Sequence, residues 1–286
     1  MPGARIRGGN ARRTDCTQIR AGGMACARSS HPIVPSSTAL AHWLLPSQIT
    51  MSTTASPPIH HIPVGVPSVH DRASLARGVL LGCGILSSLL YVAMNVFVAM
   101  QWEGYSSASQ TVSELSAVAA PTRSLWVVLA IGYTLLVTAF GWGIWTSARG
   151  NRPLRVVGGL MIAYGLTGLV WPFAPMHLRE VLAAGGGTWT DTLHIVLAMV
   201  TVPLMLVAIG VGAAAFGKRF RYYSIASLAI LLAFGVLTGR DGPRVGANLP
   251  TPWVGVWERI LIGVFLLWVV VLAIALLRSA RDRRGV

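Results

Sequence analysis

TPWVGVWERILIGVFLLWVVVLAIALLRSARDRR, residues 251–284, decides what kind of protein this is. No side chain between Arg259 and Arg278 carries a charge. An α-helix rises 1.5 Å per residue, so a run of about 20 apolar residues crosses the hydrocarbon of a bilayer. The arginines that close the run lie where a membrane helix meets the cytoplasm.

The rest of the chain repeats this theme. It is 53% hydrophobic and 11% charged, well below the roughly 25% charged residues of a soluble domain. Spans are expected near 78–100, 124–147, 155–174, 192–216, 222–239 and 253–277. Only helices and closed barrels satisfy their backbone groups in lipid, so these runs define an all-α integral membrane bundle of six transmembrane helices. Pro172 and Pro203 are tolerable there because neighbouring groups satisfy the freed carbonyls. Gly158, Gly159, Gly165 and Gly168 allow close helix contact. The lipid bilayer is the first partner the composition names; the oligomeric state is not legible.

The net charge of +14 does not point to nucleic acid. The basic residues cluster at the ends of apolar runs, and no basic stripe with interleaved aromatics exists. Assigned to alternate sides, the short loops and tail place twelve basic residues on one side. Five, Arg123, Arg179, Arg240, Arg244 and Arg259, lie on the other. Both termini are therefore expected in the cytoplasm, with 279–286 as a basic tail. Glu103, Glu114, Glu180, Asp191, Asp241 and Glu258 all fall on the outer side. Cys16, Cys26 and Cys83 form no CxxC pair, which argues against a disulfide framework or zinc knuckle. Lys218 is the one lysine among 23 basic residues. That bias suggests a GC-rich bacterial genome, hence a bacterial cytoplasmic membrane.

Residues 1–75 have a different composition, rich in Pro, Ser, Thr, Gly, His and Arg, and too polar to order themselves. Residues 76–278 are the expected membrane domain. TALAHWLLP is too short for a span and a poor signal-peptide core. Residues 1–50 are read as a mis-assigned start, with Met51 beginning the protein. An intact mass that included them would overturn this.

The polar residues on the outer side gather in four stretches: 105–115, 175–180, 190–194 and 257–259. Thr111-Val-Ser-Glu114 fits a capping box at the start of a short helix that Pro121 would follow. Ser113 and Glu114 would then either cap or face a ligand. No GxSxG elbow surrounds Ser113, which counts against it as a nucleophile. Asp191 and His194 lie three residues apart and share a helix face. Asp191 could orient His194, cap the helix from Thr188, or join it as a metal ligand, although two ligands do not make a site. His177 lies beside Arg179 in a loop. Thr251-Pro252 reads as a helix start, placing Glu258 about two turns deep, roughly 9 Å along the axis. An ionisable group there needs a partner: His194 or Arg179 for Glu258, and Asp191 or Glu114 for Arg259. Tyr91 and Asn95 form a smaller polar face.

Together SQTVSELSA, PMHLRE, TDTLH and WER resemble a bacterial membrane family known as domain of unknown function 998, over residues 75–277. The carrying motifs are Ser113-Glu114-Leu115 and Asp191-x-x-His194. The resemblance implies a six-helix membrane protein and no established reaction.

Three functions fit these residues. In the plainest, the cluster Ser113, Glu114, His177, Arg179, Asp191, His194, Glu258 and Arg259 is a packing network of a structural or accessory protein. In the second, the protein is an outer-leaflet enzyme. His194, Asp191 and Glu258 would be its catalytic groups and a lipid-like molecule its substrate, with metal-assisted hydrolysis as one version. In the third, it binds or transports a small solute or lipid. The enzyme requires convergence around a cavity, the network convergence without one, and transport a polar path past Asn95. The residues name no cofactor.

Overall fold

A computed structural model describes residues 69–282. The expected mis-assigned start lies outside the described residues. So does the expected disordered segment, except for its last residues, which form the first turns of a helix.

Seven α-helices are present among the described residues. They are α1 (Val69–Ala99), α2 (Arg123–Ser147), α3 (Arg152–Gly168), α4 (Arg179–Ala183), α5 (Trp189–Gly212), α6 (Lys218–Gly246) and α7 (Val254–Asp282). All but α4 lie in segments long and apolar enough to cross a membrane. Two 3-10 turns, Val112–Ser116 and Trp171–Phe173, complete the set. The chain forms an all-α bundle of six membrane-spanning helices. The linkers 100–122, 169–188 and 247–253 share one end of it, here called the rim. The opposite end carries the linkers 148–151 and 213–217 and is rich in arginine.

Helix limits depart from the apolar runs where polar residues remain compatible with helix. α1 begins at Val69, before the expected span, because nothing after Pro67 breaks the helix. α6 runs through Gly239, Gly242 and Pro243 rather than stopping near residue 239. Pro243 removes only the hydrogen bond to the carbonyl four residues back. α5 begins at Trp189, ahead of its apolar run, since Thr188 and Asp191 close a capping box there. At the arginine-rich end Asn151 caps α3 by accepting from Leu154 N at 3.0 Å and donates to the Ala215 carbonyl at 3.0 Å.

Small residues set the closest helix approach. A Cβ on Gly158 would lie 2.7 Å from the Trp145 backbone nitrogen, and one on Gly141 the same distance from Ile162 N. α2 and α3 are therefore in near-backbone contact, as interfaces in lipid favour. The main core fills the arginine-rich half, where Ile144, Val157, Ile209, Phe265, Trp268 and Leu272 are fully buried. Trp268 donates its indole N–H to Ser224 Oγ at 3.0 Å inside it. Towards the rim the buried groups thin into two small clusters, around Met94–Leu115 and around Ala117–Val254. The space this leaves is the cavity described next.

Candidate functional site

The rim is assembled on Glu114, which is 1% exposed. Its carboxylate reaches back to Thr111 N at 2.6 Å, the glutamate arm of the expected capping box. The same carboxylate takes a two-pronged contact from Arg179, Nε to Oε1 at 2.6 Å and Nη2 to Oε2 at 2.7 Å. Arg179 also donates Nη1 to Thr251 Oγ1 at 2.7 Å and Nη2 to the Ser109 carbonyl at 2.9 Å. Three linkers are thus tied to one buried ion pair. Parallel N–H···O bonds of this kind fix geometry as well as charge.

This arrangement changes the expected depth of Glu258. Thr251 spends its hydroxyl on Ser109 and Arg179, and α7 starts only at Val254. Glu258 therefore sits about one turn into the helix rather than two. It meets neither His194 nor Arg179. Its Oε2 accepts from Val112 N at 2.6 Å, which ties α7 to the residue just before Ser113. Arg259 meets no acid either. Its Nη1 donates to the carbonyls of Ser107, Gln110 and Gly255, and its Nη2 to Tyr105 Oη at 2.8 Å. Burial holds the Tyr105 phenol protonated up to about 12, against the pull of the Arg259 guanidinium beside it.

Asp191 and His194 do not pair with each other. The Asp191 carboxylate accepts from Thr188 N, from His177 N at 2.7 Å, and meets His177 Nδ1 at 2.8 Å. It caps α5 and anchors the 169–188 linker, which also bonds to the first linker through Val118 N and the Met176 carbonyl. Among the described residues no group of three or more His, Cys, Asp and Glu side chains is placed to hold a metal ion.

His194 turns the other way. Its Nδ1 lies 2.9 Å from the Ala174 carbonyl and its Nε2 3.1 Å from Ser113 Oγ. A carbonyl only accepts, so Nδ1 carries the proton and Nε2 offers its lone pair to the serine hydroxyl. Trp171 packs edge-on against the imidazole at 4.8 Å between ring centroids.

Ser113, His194 and Glu258 all line one cavity of about 1120 Å³ in the rim half of the bundle. Its upper wall adds Ser116, Arg123 and Trp171; its body is apolar, from α2, α3, α5, α6 and α7. Arg123 donates to the Ser116 carbonyl at 2.8 Å and to the Pro172 carbonyl at 3.2 Å, and no acid pairs with it among the described residues. Met199 on α5 and Val236 on α6 line the cavity while 69% and 61% exposed. Exposed apolar side chains of both helices thus border the cavity. Gly239, Gly242 and Gly246 face it with nothing within 4 Å of where a Cβ would stand. Here glycine leaves space open, unlike Gly158.

Of the candidate residues, the cavity gathers Ser113, His194 and Glu258. Glu114, Arg179, Asp191, His177 and Arg259 form the frame around it. Arg123, Trp171 and the Ala174 carbonyl were missed by sequence reasoning. An arginine opening a span on the acid-rich side was a usable signal for Arg123; a backbone carbonyl leaves none.

The described residues define a six-helix membrane protein. The family described as Protein of unknown function (DUF998) matches residues 85–275, and the chain belongs to it. No curated protein and no solved structure matches the chain.

Proposed function

We propose that the protein binds an amphiphile with an acyl chain, taken from the bilayer between α5 and α6. The chain would occupy the apolar body of the cavity, with the head group beside Ser113, Arg123, His194 and Glu258. The arginine asymmetry supports an outward-facing rim, so the ligand would come from the outer leaflet of what composition suggests is a bacterial cytoplasmic membrane. The observation that carries this reading is the cavity's form: about 1120 Å³, with polar groups at one end and exposed apolar side chains of α5 and α6 along its wall. Ligand sites run to roughly 300–1,000 Å³ with a few polar groups on apolar walls.

A packing network accounts for Glu114, Arg179 and Asp191 but not for the open space beside Arg123. Transport is less well supported, since the core around Phe265 and Trp268 is apolar and buried below the cavity.

The test is photocrosslinking with a diazirine-bearing fatty-acyl amphiphile in vesicles, mapped by mass spectrometry. Adducts should concentrate on cavity residues such as Met199 and Val236, and Gly239→Trp should remove them. Adducts spread evenly over all lipid-facing helices, and unchanged by Gly239→Trp, would overturn the reading.

A further inference from the structure

The Ser113–His194 contact has the geometry of an activated nucleophile. Such pairs need an oxygen within about 2.6–3.2 Å of the base, and a third group that orients the base. Both are present. Ser113 Oγ lies 3.1 Å from His194 Nε2, and the Ala174 carbonyl fixes the Nδ1–H tautomer from 2.9 Å. The carbonyl takes the place a carboxylate holds in a triad. Trp171 holds the imidazole plane, and Glu258 grips the Val112 N–H one residue before the serine.

The contact is not needed to fasten the rim. The turn at Val112–Ser116 is already fixed by Glu114 to Arg179, by Thr122 Oγ1 donating to the Leu115 carbonyl at 2.7 Å, and by Arg123 at Ser116. Ser113 is the member of the turn that pairs with an imidazole on the cavity wall.

We infer that Ser113 and His194 cleave the acyl ester of a lipid held in the cavity, an activity that rests on the amphiphile-binding reading above. Ser113 Oγ attacks the ester carbonyl carbon while His194 Nε2 takes the hydroxyl proton. The carbon–oxygen bond to the head-group alcohol breaks, and His194 returns the proton to the departing alkoxide. Water from the rim then attacks the acyl-serine, again losing its proton to His194. The fatty acid leaves and the serine hydroxyl is restored. Ser113 and His194 are the catalytic residues; Ala174, Trp171 and Glu258 are positioning residues.

The experiment uses the full chain in lipid nanodiscs and a fluorophosphonate carrying a long alkyl chain, which traps a nucleophilic serine. Retention of the photoactivatable fatty-acyl amphiphile is measured in parallel. The wild type should form one phosphonate adduct, on Ser113. Ser113→Ala should form none. His194→Gln should slow labelling by at least about 100-fold, the usual contribution of a general base. A wild type that retains the amphiphile but leaves Ser113 unmodified overturns the catalytic inference and spares the binding reading. A wild type that retains none overturns both.

Discussion

Glu114 and Arg179 are 65 residues apart in sequence and share a two-pronged, buried ion pair at the rim. It joins the linker after α1 to the linker after α3, and through Thr251 to the linker before α7. The cavity mouth is shaped by whatever fixes these three segments, so the pair governs the site without lining it.

Removing one partner of a buried pair strands the other charge, at a cost of about 3–5 kcal/mol. Glu114→Ala should therefore lower stability by that order in detergent or bilayer unfolding experiments. Adding Arg179→Ala to it should cost little more, since the stranded cation is then gone. Equal and additive losses for the two changes would show that they do not act as a unit.

Two glycines should respond oppositely to the same change. Gly158→Ala places a methyl 2.7 Å from the Trp145 backbone and should destabilise the protein and push α2 and α3 apart. Gly239→Ala meets nothing within 4 Å, so it should be neutral or stabilise by up to about 1 kcal/mol through helix propensity. Thermal unfolding of both variants checks the pair; loss of stability in Gly239→Ala would mean the cavity closes in the native protein.

Asp191 serves as cap and linker anchor. Asp191→Ala should cost about 1 kcal/mol as a lost cap and loosen residues 175–188. Hydrogen exchange should report this as faster exchange at Thr188 and His177. Unchanged exchange there would contradict the anchoring role.

The Tyr105 phenol gives a pH signature. Its folded-state value is raised above the ordinary 10 to about 12. The unfolded chain therefore loses this proton first, and the contribution is complete below pH 10 and lost as pH rises through 12. Wild-type stability should fall more steeply than that of Tyr105→Phe over this window. Parallel curves would show that the phenol does not report on its burial.

The span through residues 253–277 was legible because lipid demands a long uncharged helix wherever it occurs. The capping boxes at Thr111–Glu114 and Thr188–Asp191 were legible for a similar reason: both partners lie within four residues. Pairing among Glu258, Arg259, Asp191 and His194 was not. Each candidate had several partners of suitable charge, and many of the places went to backbone groups that carry no sequence signal. Val112 N–H took Glu258, three carbonyls took Arg259, and the Ala174 carbonyl took the ring nitrogen expected for Asp191.

Sequence by itself determined the solvent, the number of membrane spans and the side of the bundle on which acids gather, since these follow from runs of apolar residues and the arginines between them. Tertiary structure alone decided that Ser113 meets His194 across 81 residues and that the core stops short of the rim. Both depend on how the rim linkers and the helices pack against one another, which no local pattern encodes.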